Sequence, residues 1–191
     1  MITRESLLSL EAYARERNTF RARVIEHKKR RTVPLGEHLT LLFEDELTIR
    51  YQVQEMLRIE RIFEEAGIQH ELDAYNPLVP DGTNWKATML IEYPDADERK
   101  RKLAELKGIE RRVWIEVQAG ERVYAIADED LERENEEKTS SVHFLRFELG
   151  ASLRGALARG APVTVGVDHP RYRASVELPA EVRAALCADL R

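Results

Sequence analysis

Cysteine is almost missing: Cys187 stands alone in 191 residues. No disulfide and no cysteine-based metal cluster can therefore form within one chain. A lone thiol on a terminal helix fits a reducing compartment, and its expected role is that of a small core residue. Long apolar runs are missing too. The longest are short stretches such as TMLI and VTVGV, which cannot span a bilayer as a helix. The first residues lack the basic-then-apolar pattern of a signal peptide, so the chain is expected to be cytoplasmic. Glycine-rich phosphate loops, GxSxG, HExxH, paired ExxH and CxxC are all absent. The common routes to nucleotide, hydrolase, zinc and di-iron chemistry are thereby removed, while other enzyme classes stay open.

What is present is an ordinary globular composition, 43% hydrophobic and 34% charged, in a length that fits one domain spanning 1–191. Net charge is −5, yet it is unevenly spread. Residues 1–36 hold nine Lys or Arg against four Glu, whereas residues 128–138 (DEDLERENEEK) hold seven acids against Arg133 and Lys138. The run HKKRR, with Arg21 and Arg23 before it, is the kind of cluster that contacts phosphate. No aromatic stacking motif flanks it, and a solvated helix end beside an acidic segment explains it equally well, so nucleic acid is not the expected partner. The acidic segment 128–140 is expected to be a mobile loop.

Periodicity places helices first. Residues 4–29 read as one long helix, closed by Pro34-Leu35-Gly36. LTLLFE reads as a short strand leading to Asp45, an N-cap. The helix after it runs by pattern to residue 65 or 66, with Gly67 as its C-cap, and IQHELDAY continues as a shorter helix. From WKATMLIEY onward the period changes to two. A helix capped by Asp95, a hairpin turning at Ala119-Gly120, a strand over 141–149, a short helix, a second hairpin turning at DHPR and a terminal helix opened by Pro179 complete the chain. Helices followed by mostly antiparallel strands predict an α+β fold, with N-terminal helices (about 1–80) packed on a sheet-rich part (about 84–191). The amphipathic first helix can pack within the chain or across a two-fold axis, so a homo-oligomer is open.

One feature of TIRYQVQEMLRIERIF is odd. On a continuous helix Glu60 falls about 20° from Ile49, inside a stripe that includes Val53, Met56 and Phe63, with Gln52 at its edge. A buried carboxylate there needs a cation, several donors or a metal. Glu55 lies one turn before Arg58, within easy reach of an ion pair. His70, Glu71, Tyr75, Asn76 and Glu92 are near in sequence. Glu55, Glu60, His70, Glu71 and Glu92 form a set that can hold a divalent metal, with Arg58 orienting an anionic substrate and Tyr75 donating a proton. The competing reading is a buried structural ion pair with Arg58 or an arginine of the first helix.

The block LTLLFEDELTIRYQVQEMLRIERIFEEAGIQHELDAYNPLVP…ATMLIEY, with RVIEHKKRRTVPLGEH before it and GVDHPRY after it, resembles bacterial domain-of-unknown-function family 3501 over nearly the whole chain. The positions that match its pattern include Glu44, Gln52, Glu55, Arg58, Glu60, Glu71, Tyr75, Asn76 and Glu92. Genes of that family often lie beside those for rubrerythrin and an iron–sulfur oxidoreductase. The resemblance thus implies a cytoplasmic accessory or adaptor of a rubrerythrin-type redox or peroxide-stress system, docking through the basic first helix and the acidic segment. The alternative is a metal-dependent enzyme or metal-binding protein built on the Glu cluster.

Overall fold

Residues 1–191 are all described by the structure, a computed structural model. The fold is α+β, and the chain forms two compact units. One is helical, Met1–Arg30 and Glu44–Pro80; the other carries every strand, Arg31–Phe43 and Asp81–Arg191.

The helical unit is built from α1 (Leu10–Lys29), α2 (Glu46–Ile59) and α3 (Glu65–Tyr75) around a small core of Ile2, Leu7, Ile49, Val53, Leu57, Ile68 and Leu72. The continuous helix expected over 4–29 is broken. A 3₁₀ turn covers Arg4–Ser6, and α1 starts only after Ser9, whose side chain accepts a hydrogen bond from the Ala12 N–H. Ser9 offers the backbone a cap that the apolar spacing hides. Buried Gln54 holds the break, accepting from the Leu8 N–H at 2.7 Å and donating to the Leu8 carbonyl at 3.3 Å.

The second correction bears on Glu60. Asp45 caps α2 as expected, with Thr48 reciprocating. The helix, however, stops at Ile59, not at residue 65 or 66. Arg61 adopts φ 55°, and the Ile62 N–H bonds the Leu57 carbonyl at 2.9 Å. This is a Schellman closure with arginine in the left-handed position that glycine usually fills. Ile62 and Leu57 meet in the same core. Gly67, expected as the cap, lies inside α3, where an added Cβ would come within 2.7 Å of Ile62 Cγ2.

The sheet unit holds two antiparallel sheets. Its strands are β1 (Thr32–Leu35), β2 (Leu39–Phe43), β3 (Asn84–Ile91), β4 (Val113–Val117), β5 (Arg122–Tyr124), β6 (Ile126–Ala127), β7 (Val142–Glu148), β8 (Val163–His169) and β9 (Tyr172–Glu177). The orders are β1-β2-β3-β7-β6 and β5-β4-β8-β9. Pro34, expected to close a helix, sits instead in β1, an edge strand where its missing N–H costs no ladder bond. The β4–β5 turn places Gln118 and Ala119 at φ 54° and 51°, the backbone that a type I′ hairpin requires. The chain then crosses from one sheet to the other between Tyr124 and Ile126. The helices α4 (Ala96–Glu105), α5 (Ala151–Ala158) and α6 (Ala180–Cys187) complete the unit.

A single buried cluster draws Phe43, Trp85, Met89 and Phe147 from the first sheet and Ile115, Val163 and Val165 from the second. The Trp85 indole N–H donates to the Leu186 carbonyl at 2.9 Å. Arg31, the last residue of HKKRR, is 3% exposed and makes a two-pronged pair with Asp189 at 2.8 Å on each arm. The basic run is therefore not one solvated patch. No helix is long and apolar enough to cross a membrane.

Candidate functional site

The polar set expected in the helical unit exists, but it is centred on Glu55. On α2 the faces turn so that Ile49, Val53 and Leu57 are buried and Glu55 looks toward α1. Glu55 Oε1 accepts from the Tyr13 hydroxyl at 2.7 Å and Arg17 Nε at 2.7 Å; Oε2 accepts from Arg17 Nη2 at 2.9 Å and Arg58 Nη2 at 3.1 Å. The Arg17 bonds, helped by Tyr13 and Arg58, push the Glu55 carboxyl down to about 2, against a smaller upward push from burial. Burial, and then Glu55 beside it, raises the Tyr13 hydroxyl well above its ordinary range. Four donors on two oxygens leave this carboxylate saturated.

Other expected members go elsewhere. Glu60 is exposed and caps the C-terminus of α2, so it does not lie in the apolar stripe; Phe63 is 74% exposed. His70 is exposed on α3. Glu71 is half-buried, and after burial it is the second cause of the raised Tyr75 hydroxyl. Asn76 accepts from the Ile2 N–H at 2.8 Å and donates to the Ile2 carbonyl at 2.9 Å, which fastens the N-terminus. Glu44 accepts from the Thr48 hydroxyl at 2.5 Å. Glu92, in the sheet unit, accepts from the Thr40 hydroxyl at 2.9 Å. Gln52 keeps a buried Oε1 without a donor. No three His, Cys, Asp or Glu side chains are placed to hold a metal ion. Glu55, Glu60, His70, Glu71 and Glu92 thus do not fit a divalent metal.

His143 shows a second arrangement that sequence spacing did not suggest. Its Nδ1 lies 2.5 Å from Asp128 Oδ2, and its Nε2 lies 3.0 Å from both the Thr139 hydroxyl and the Ser140 carbonyl. A hydroxyl, an imidazole and a carboxylate in a row resemble a nucleophile triad. The ring is fully buried, however, and Thr139 is 1% exposed, so the row is closed to a substrate. The trio fastens both ends of the acidic segment to β7.

The open site lies on the outer face of the four-stranded sheet. Val113, Ile115 and Val117 point into the core, which puts Trp114 on the opposite face. Trp114 is opposite Tyr124 on β5 and Gly166 on β8, and Gly166 is opposite Ser175 on β9. The indole lies flat over Gly166, where a Cβ would come within 2.3 Å of Trp114 Cζ2. Arg122 stacks on the other side, 3.9 Å from the ring centroid. Asp168 Oδ2 accepts from the Tyr124 hydroxyl at 2.6 Å and Arg122 Nη1 at 3.2 Å.

Around these groups is a basin of about 680 Å³, with Arg112 and Arg173 on its rim. Two atoms of its lining residues are buried with no hydrogen-bond partner: the Trp114 indole N–H and Asp168 Oδ1. Trp114 is only 5% exposed. The other tryptophan, Trp85, shows how the same N–H is normally satisfied. The alternation of RRVWIEV carries a signal that sets Trp114 on the face opposite Val113, Ile115 and Val117, and the sequence reading of a hairpin did not use it. What alternation could not show was Gly166 beneath the ring.

A family model for a protein of unknown function, DUF3501, matches residues 1–190. The chain belongs to this family. Among solved structures, DUF3501's fold is found in the crystal structure of a novel protein of unknown function from Burkholderia pseudomallei K96243. That chain is 59% identical, with a TM-score of 0.95, over 100% of this chain and 99% of the other. No curated protein matches. Membership in DUF3501 supplies a fold and no activity, so the chemistry has to be argued from the residues above.

Proposed function

We propose that this chain is a non-catalytic binding protein that takes an anionic group, a carboxylate or phosphate, on the outer face of its four-stranded sheet. The observation that carries this reading is the Trp114 indole N–H, buried with no acceptor on a residue that lines the basin. Leaving such a donor unpaired costs about 1–3 kcal/mol, and a ligand oxygen recovers it. Arg112 and Arg173 are exposed and engage no carboxylate of the chain, so their charge is available to the same ligand. A planar stack of Arg122, Trp114 and Gly166 holds the donor in place before binding, which lowers the ordering cost of binding.

The resemblance supplies a setting for this role: an accessory or adaptor of a rubrerythrin-type redox system. Support from the fold is the exposure of Arg15, Arg21 and Arg23 around α1, a charged helix surface suited to docking an acidic partner. Anaerobic co-purification of the untagged chain should recover a rubrerythrin-type or iron–sulfur protein; its repeated absence would remove the setting and leave the binding site untouched.

The site itself is tested by calorimetric titration with inorganic phosphate and with succinate, alongside tryptophan fluorescence. Saturable, salt-weakened binding is expected, with a change in Trp114 emission. Arg173→Ala should weaken binding about tenfold, as expected for one charge-assisted contact. Trp114→Phe, which keeps the ring and removes the N–H, should weaken it as well. No saturable binding of either anion, or full affinity in both variants, would sink the proposal.

A further inference from the structure

A second pocket, of about 340 Å³, opens in the sheet unit between the 3₁₀ turn Ile109–Arg112 and the acidic segment. Six of its lining residues are acids, but most of them are already engaged. Asp128 and Asp130 pair with Arg133, at 3.3 and 2.6 Å. Glu129 takes both arms of Arg146 at 2.7 Å, and Glu134 accepts from the Gly108 N–H at 2.7 Å. Two remain. Glu132 is exposed and unpaired. Glu110 is 3% exposed, and its Oε2 is buried without any hydrogen-bond partner. Arg111 lies 3.6 Å from the other oxygen of Glu110, with its own side chain 77% exposed.

A carboxylate oxygen buried in a pocket with no donor is a vacancy for a cation. The lining chooses which kind. A divalent metal requires several oxygens around it, and no three carboxylates converge here. An ammonium carries three donors on a compact charge and is satisfied by one buried carboxylate, a second at the rim and water. Ala127 and Leu131 also line the pocket, and Leu131 is 56% exposed, so an alkyl chain can lie on an apolar wall that a bare ion would not use. We infer that this pocket binds an alkylammonium group, with Glu110 Oε2 as the buried acceptor, Glu132 as the rim acceptor and Leu131 against the methylenes. The group can end a free diamine or a lysine side chain.

Calorimetry and thermal unfolding of the full chain with 1,4-diaminobutane, at ionic strength held constant with NaCl, test this. The expected result is saturable binding and a rise in Tm. Glu110→Gln should weaken binding at least tenfold, and Glu132→Lys, which places its own ammonium at the rim, should abolish it. Should Glu110→Gln fail to fold, the exposed Glu132→Lys still decides the matter. Arg173→Ala should leave diamine binding unchanged, which keeps this site separate from the anion basin.

A blocked lysine, N-acetyl-lysine methylamide, separates the two sources. Binding of the diamine alone assigns a free amine, and binding of blocked lysine alone assigns a protein side chain. Either supports the pocket. No saturable binding of either probe, full affinity in Glu132→Lys, or saturable binding of Mg²⁺ in place of the amines would overturn it.

Discussion

Glu55 and Asp168 are built from the same parts and end in opposite states. Each carboxylate accepts from one tyrosine hydroxyl and from arginine: Tyr13, Arg17 and Arg58 around Glu55, Tyr124 and Arg122 around Asp168. Between helices the donors come from two directions. Arg58 reaches back three residues along α2, while Tyr13 and Arg17 descend from α1, so both oxygens are covered. On a sheet, strands stand about 4.8 Å apart and only side chains of the same face can meet, and both donors to Asp168 come from β5. Tyr124 and Arg122 converge on one oxygen of Asp168, and the other is buried unmet. A saturated carboxylate serves the fold, whereas an unsaturated one is open to a donor from outside it, such as the P–OH that phosphate carries near neutral pH.

The first way to break the comparison is Glu55→Gln. It leaves Arg17, Arg58 and Tyr13 around an amide that can accept on one atom only. Loss of about 2–3 kcal/mol is expected, below the full cost of breaking a deeply buried pair because Arg17 is 28% and Glu55 16% exposed. Chemical denaturation at neutral pH measures it. The same pair sets an acid limb. The Glu55 carboxyl drops from 4.5 to about 2 on folding, so its contribution is complete above pH 4.5 and is lost as pH falls toward 2. The variant should therefore show a flatter stability profile across that window than the parent.

The sheet side of the comparison is sharpened by Gly166→Ala. The new methyl would stand 2.3 Å from the indole edge, so the ring must lift from β8 and leave Arg122. A loss of about 1–3 kcal/mol follows from overpacking. The diagnostic readout is the emission of Trp114, which should move toward that of a wetter indole while Trp85 stays sealed in the core.

The same contrast explains how far the sequence could be read. Period-two alternation located β3, β4, β7, β8 and β9, because each buries one face and the pattern records that burial directly. Asp45 and Asp95 were legible as caps because their side chains bond locally. The candidate site was legible only as a group of polar residues near α2: Glu55 and Arg58 do meet, and Glu60 does not join them. The error follows from one residue. Arg61 in a left-handed conformation ends the helix, and nothing in its side chain announces that conformation as a glycine would. Beyond residue 59 the 100° step of a helix no longer describes the chain. The outer-face basin was hidden for a different reason, since its glycine and its indole are far apart in sequence and meet only through strand register.

That account makes Arg61 a site to improve. Arg61→Gly relieves a side chain at φ 55°, and a gain of about 0.5–1 kcal/mol is expected from removing the left-handed penalty, reduced by the extra freedom of glycine in the unfolded chain. An unchanged or lower midpoint in denaturant would mean that the arginine side chain has a role of its own at the helix end.

The smallest expected effect belongs to Glu60→Gln. A stripe position on a continuous helix would make this substitution severe, since the cation or donors that a buried carboxylate requires would be left unpaired. At an exposed C-cap the logic reverses. A negative charge beside the C-terminal carbonyls of α2 is mildly unfavourable in the dipole field, and removing it touches no partner. The change should lie within about 0.5 kcal/mol of zero and lean toward stabilisation. A loss above about 1 kcal/mol in urea denaturation would contradict the helix end at Ile59 and return Glu60 to the core.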